Sequence, residues 1–253
     1  MAFDSRIRMR APLAGNLDLP PPFRAVALRE AGDAFAYAVR VAAEAGAGTL
    51  VHVGRFDLAE FAVVLEPEEP LRTARRTLYA GLAALADTLA AHAPPEKPIK
   101  IVWPDAITVD MGLVGGGRLA WPAGADEDAP PPWLVFGAMI RTVAIGEHEA
   151  GLNPLATALG DEGFVDLGSG RVVESFARHL MVVVDTWQQD GFAEVAKSYL
   201  SRLSPEEGLR RDIDLNGDLL VRRAGKGEIE RRPLPPAFAQ PSWLDPATGG
   251  PRR

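Results

Sequence analysis

The residues of this chain whose types and spacing could do chemistry gather between positions 101 and 141. The run Ile101-Val102-Trp103-Pro104-Asp105-Ala106-Ile107-Thr108-Val109-Asp110-Met111-Gly112-Leu113-Val114-Gly115-Gly116-Gly117-Arg118-Leu119 joins apolar, strand-like stretches. Gly115, Gly116 and Gly117 leave the backbone bare, so main-chain groups could meet a ligand there. A bulge or tight packing against a helix uses the same residues. Arg118 follows at once, and a carboxylate or phosphate would suit it, as would a surface salt bridge. Arg141 closes an apolar run, and an arginine buried there needs a partner. Trp103-Pro104 can wall a pocket, or be only a bulky core residue and a strand terminator. Arg55, in a short connection, reads as a solvated cation.

Other candidates are weaker. Asp126-Glu127-Asp128 could attract a cation but reads as a solvated loop. His52, His92, His148 and His179 lack metal-ligand spacing, so no metal site is expected. No phosphate-binding loop and no Gly-x-Ser-x-Gly elbow occurs.

Composition bounds the rest. The chain has 253 residues, with 27 Lys plus Arg against 34 Asp plus Glu, a formal net charge of −7. Without a basic surplus to displace counterions, nonspecific nucleic-acid binding is disfavoured. An apolar share of 47% suits one packed core with a small appended unit. The absence of cysteine removes disulfides, thiolate zinc sites and cysteine acyl-enzymes. The first ten residues carry charges where a signal peptide needs an apolar run. No stretch reaches the ~18 apolar residues of a membrane span. A cytoplasmic location without membrane contact is expected.

The elements that must position these residues are legible from periodicity. Residues 1–22 end in Leu19-Pro20-Pro21-Pro22 and read as an extended arm, because consecutive prolines exclude helix. A helix is predicted over 32–46, then strands at Thr49–Val53 and Phe61–Leu65 forming a hairpin. Leu71, Ala74, Leu78, Leu82, Leu85 and Leu89 predict one continuous helix from Pro70 to His92. Strands are predicted at 99–102, 107–109, 113–121 and 133–145, and helices at 172–189 and 192–203. Asn216-Gly217 signals a tight turn within a small β module over 206–238. A flexible proline-rich tail is expected over 239–253. Consecutive strands without intervening helices predict an α/β (α+β) domain over 23–205 with a mixed, largely antiparallel sheet.

The run from Trp103 to Arg118 resembles the central signature of the biotin and lipoate protein ligases. In that family a Trp-Pro-Asn-Asp run ends one strand and a Lys-x-x-Gly run opens the next. Gly48-Thr49-Leu50-Val51, Val63-Val64-Leu65-Glu66-Pro67 and Val135-Phe136-Gly137-Ala138-Met139-Ile140-Arg141 match further strands in order, and the Asn216-Gly217 hairpin matches the small C-terminal barrel. The likeness covers roughly residues 24–235. It implies a sheet flanked by helices, as in class II aminoacyl-tRNA synthetases, plus a barrel-like β module. It also implies a small carboxylic acid ligand: biotin, lipoate or octanoate, or its adenylate. Transfer to a lysine on a lipoyl or biotinyl carrier domain would follow, with ATP and magnesium if adenylation survives. Trp103, Pro104, Gly115, Gly116 and Gly117 would shape the acyl pocket, with the glycine backbone lining a cleft beside the Trp103 indole. Arg118 or Arg141 would contact the carboxylate or phosphate, Arg55 is the cation left in the covering loop, and Asp105 would orient the incoming amine or a metal.

The departures point elsewhere. The family's long Gly-Arg-Gly-Arg loop is reduced to Gly54–Glu60. The signature Lys falls on Leu113, the motif Asn and Asp fall on Asp105 and Ala106, and a later Asn falls on Arg141. A catalytically inactive relative that binds a ligand or a protein is therefore the alternative, and a partner chain supplying the missing residues is a third.

Overall fold

The computed structural model describes residues 17–145, 155–225, 227–238 and 240–252. Residues 1–16 of the expected arm, and His148, lie outside them. The order of elements is β1 (Arg24–Leu28), α1 (Ala34–Ala45), β2 (Thr49–Val53), β3 (Leu58–Leu65), α2 (Leu71–Ala74), α3 (Thr77–Ala90), β4 (Ile99–Val102), β5 (Ala106–Val109), β6 (Gly112–Ala120) and β7 (Leu134–Arg141). There follow α4 (Ser169–Asp190), α5 (Phe192–Arg202), β8 (Leu209–Ile213), β9 (Leu219–Arg223), β10 (Ile229–Arg232) and α6 (Leu234–Ala237).

Seven strands form one sheet in the order β1-β2-β3-β7-β6-β5-β4. Only β1 and β2 pair in parallel; the other neighbours are antiparallel. The sheet is therefore mixed and largely antiparallel, as the strand succession predicts. β1 has little strand signal because it is a short, half-exposed edge.

One face of the sheet is covered by α3, α4 and α5. Phe61, Phe136, Ile140, Leu82, Leu85, Phe176 and Tyr199 all belong to the core between them. Almost all of α3 is buried, which fits a helix packed on several sides at once. The expected continuous helix is two, because Arg76 breaks the ladder. Both its backbone N–H and its Nε donate to the Thr73 carbonyl, at 3.0 and 2.9 Å, which tightens the turn to i→i+3 spacing. At the far end of this layer Gly191, with φ of 83°, separates α4 from α5.

The other face carries two covers. The first is α1, which packs Ala34, Ala38 and Ala42 against Val51, Ala62, Val64 and Val135. Its start is set by Asp33, whose Oδ1 accepts from the Ala36 N–H at 2.9 Å, a side-chain N-cap. The second cover is the C-terminal segment. The expectation of a flexible tail is corrected: Trp243 is 0% exposed and packs on Leu58, Ala106 and Met139. Proline and glycine in 240–252 prevent regular structure, yet the buried indole anchors the segment where the sheet leaves room.

The β module is a three-stranded antiparallel sheet, β10-β9-β8, rather than a closed barrel. It docks on the helix side through Ile213, Leu219 and Val221. The buried Tyr79 hydroxyl donates to the Gly217 carbonyl at 2.6 Å. No helix among the described residues is long and apolar enough to cross a membrane.

Candidate functional site

Strand register puts three of the candidate residues, Gly116, Arg118 and Arg141, on one face. Glu60 faces Met139, Met139 faces Gly116, and Gly116 faces Ala106, a single row across β3, β7, β6 and β5. Gly137 pairs with Arg118 in the next row, and Leu58 with Arg141 in the row on the other side. Paired residues of a sheet share a face, so all of these lie on the side covered by α1 and the C-terminal segment.

Asp105 sits in the turn before β5 and is 3% exposed. Its carboxylate accepts from the Ser242 N–H at 3.0 Å and from the Ser242 hydroxyl at 2.5 Å. Burial pushes its pKa up to about 6, against the pull of the two Ser242 donors. Arg141 donates to the Thr157 carbonyl at 3.1 Å and to the carbonyls of Pro251 and Arg252 at 2.7 and 3.1 Å. These partners supply what an arginine at the end of an apolar strand requires.

Arg118 lies 4.1 Å above the Phe35 ring and 3.3 Å from the Asp33 carboxylate. Burial lowers its pKa, and Asp33 and Glu60 oppose that loss of charge. Glu60 is almost fully buried. Its Oε1 accepts from the Ala34 N–H at 2.9 Å, at the positive end of α1. Burial raises its pKa, the bond from Ala34 lowers it, and Asp33 raises it again.

The remaining candidates are placed elsewhere. Trp103 is half-buried against the helix-side core, and its Nε1–H donates to the Tyr79 hydroxyl at 3.3 Å. The Pro104 carbonyl accepts from Tyr199 at 2.9 Å. The expected cleft between the Trp103 indole and the glycines is corrected: the indole turns to Tyr79 on the helix side. The glycine backbone is not open either. A Cβ on Gly115 would strike the Met139 carbonyl at 1.8 Å, one on Gly116 the Trp243 ring at 2.3 Å, and one on Gly117 the Phe136 ring at 2.9 Å. The physical reason is close packing: β6 must clear β7, a buried indole and a phenyl ring in three successive residues. Arg55 is held by Asp57 through two bonds, at 3.1 and 2.7 Å, and this raises its pKa. The covering loop is shorter than the sequence suggests, because β3 already begins at Leu58.

Glu60, Ser242 and Trp243 escape motif reasoning. Glu60 had a signal, a lone acid in the otherwise apolar Leu58-Ala59-Glu60-Phe61-Ala62-Val63. So did Trp243, a large aromatic in a proline-rich segment. Nothing local marks Ser242.

Leu113, at the position of the signature lysine, packs partly buried in the apolar cluster of Trp243 and Met139. Among the described residues no group of three His, Asp or Glu side chains is placed to hold a metal ion. A groove of about 1220 Å³ opens on the helix side, between Leu65, Arg76, Leu180, Trp187, Phe192 and Leu215, and none of the candidates lines it.

Residues 19–201 match the model of a family described as the biotin/lipoate A/B protein ligase family. No curated protein matches the chain. Among solved structures, a biotin protein ligase-like protein of unknown function from Silicibacter sp. TM1040 is 26% identical, with a TM-score of 0.76 over 89% of this chain and 100% of that one. The biotin protein ligase of Aquifex aeolicus is 15% identical, with a TM-score of 0.60 over 83% of this chain and 99% of that one. The Leishmania major enzyme in complex with biotin gives 18%, a TM-score of 0.52, and coverage of 85% and 99%. The seven-stranded sheet with its flanking helices is the biotin protein ligase fold. Since the family match spans well over half of its 253 residues, the chain belongs to the biotin/lipoate A/B protein ligase family.

Proposed function

We propose that this protein holds a small carboxylic acid of the acyl-cofactor class, biotin, lipoate or octanoate, or its adenylate, and does not itself make the adenylate. The observation that carries this is Leu113. Where adenylation needs a cation facing the α-phosphate, the chain offers an isobutyl group packed among Met139, Ala106 and Trp243. Losing one such donor costs roughly a hundredfold to a thousandfold in rate. The connection between β2 and β3 is also only residues 54–57, too short to shield a mixed anhydride from water. With the C-terminal segment in place, neither Arg118 nor Arg141 faces a phosphate: Asp33 engages the first, and the carbonyls of Thr157, Pro251 and Arg252 engage the second.

Support for binding comes from the surviving face. Arg118 and Glu60 lie beside α1 on that face, and Asp105 and Arg141 beside the C-terminal segment, with apolar Leu58, Ala106 and Met139 there too. Relatives of the same fold are solved with biotin and ATP and with biotinyl-5-AMP. The test pairs two assays on the purified chain. Calorimetry with biotin, lipoate, octanoate and biotinyl-adenylate should detect binding of at least one. ATP–pyrophosphate exchange with the same acids should stay at background. Exchange above background refutes the loss of adenylation, and calorimetric silence in the wild type and in the Trp243 variant described below refutes binding.

A second reading, transfer from a ready-made adenylate to a lysine of a lipoyl or biotinyl carrier domain, is favoured by Asp105. A carboxylate whose pKa lies at about 6 can take a proton from an incoming ammonium near neutral pH. Mixing biotinyl-adenylate, carrier domain and protein, and weighing the carrier by mass spectrometry, decides between binding alone and transfer.

A further inference from the structure

The face described above is occupied by the chain itself. Trp243 lies over Gly116, and its Nε1–H donates to the Gly117 carbonyl at 3.0 Å. Ser242 donates twice to Asp105. Pro251 and Arg252 give their carbonyls to Arg141. The segment between these anchors is a closed loop. The Asp245 N–H donates to the Gly250 carbonyl at 2.9 Å, and the Arg252 N–H to the Trp243 carbonyl at 2.8 Å. The Arg252 Nε–H donates to the Ser242 carbonyl at 2.8 Å. Its middle, Ala247 to Gly249, is exposed, so the loop holds its own shape and touches the sheet only near its two ends.

We propose that residues 240–252 form a strap that fills the ligand face as an internal surrogate, and that a ligand reaches this face only when the strap lifts. Four of the sequence-derived candidates, Asp105, Gly116, Gly117 and Arg141, are points it engages. It makes there the contacts a bound molecule would make: an apolar ring on the glycine backbone, an N–H to the Gly117 carbonyl, donors to Asp105 and an acceptor for Arg141. A displacing ligand must offer the same set, so an acid whose ring carries an N–H competes better than a purely aliphatic acid. Coupling is obligatory, because ring and ligand cannot share the space above Gly116. The measured affinity of the intact chain is then the affinity of the open face multiplied by the fraction of molecules with the strap raised.

The inference rests on the acyl-ligand reading, and the experiment separates the two. Hydrogen–deuterium exchange of the tail peptide covering 240–252 is followed in the full-length protein, with and without biotin, lipoate and octanoate, alongside calorimetry. Trp243→Ala, checked for native fold by circular dichroism, should speed tail exchange at least tenfold and tighten ligand binding at least tenfold. Ser242→Ala, which keeps the indole, should move both in the same direction by less. In the wild type, the acid that binds should raise exchange in the tail. A ligand that binds the wild type while the tail keeps its protection, or binds wild type and Trp243→Ala equally, overturns the strap and leaves the acyl-ligand reading standing. Trp243→Ala with an unprotected tail and no bound acid overturns the acyl-ligand reading instead. Tail protection unchanged by Trp243→Ala overturns the strap.

Discussion

Asp105→Asn is the substitution whose consequence can be worked through most fully. The carboxyl is buried and titrates at about 6, against 3.8 for the free side chain. The folded protein therefore holds this proton more tightly than the unfolded chain. Its contribution to stability is fully present below pH 3.8, falls as pH rises through the window from 3.8 to about 6, and is gone above it. At 1.36 kcal/mol for each pH unit of that gap, the loss is about 3 kcal/mol. Asparagine has no charge to desolvate, so it removes the pH term. It also turns an N–H toward one of the two Ser242 donors, at a cost of about 1–3 kcal/mol that does not depend on pH. A single measurement at one pH mixes these opposed effects; the difference between two pH values isolates the first. Urea denaturation followed by far-UV circular dichroism at pH 4 and pH 7, on wild type and variant, is the assay. Going from pH 4 to pH 7, the wild type should lose about 2.4 kcal/mol relative to Asp105→Asn, the first part of the loss lying below pH 4. Parallel pH dependences in the two proteins would refute the burial argument for Asp105.

Further predictions concern packing on the two faces. Gly116→Ala should lower stability by several kcal/mol, on the order of a badly overpacked core position, since its Cβ would lie 2.2 Å from the Asp105 carbonyl oxygen as well as against Trp243. A thermal melt identical to wild type would show that β6 has room there. Tyr79→Phe should cost about 1–3 kcal/mol, because it orphans the buried Gly217 carbonyl and the Trp103 indole N–H. Denaturant midpoints measure this, and no change would mean that the β module docks by apolar contacts alone.

Local pattern determined the frame of this protein. Apolar alternation and the helical stripe of Leu78, Leu82, Leu85 and Leu89 marked the strands and helices. The order of Trp103-Pro104, the three glycines and Arg141 marked the family, because these signals repeat within a few residues and need no knowledge of distant neighbours. Alternation also settles that Gly116, Met139 and Glu60 share a face once register is known. It cannot say what covers that face. Ser242 meets Asp105 across 137 residues, and Trp243 meets Gly117 across 126. Such approaches depend on where the whole sheet leaves a gap, so composition alone made the tail look free. Trp103 shows the converse: its neighbours in the motif place it beside the glycines, yet the turn between β4 and β5 aims its indole at Tyr79 on the opposite side. Only the tertiary structure decided which side of the sheet each motif residue serves, because a turn's direction and a side chain's cover are set by packing between elements remote in the chain.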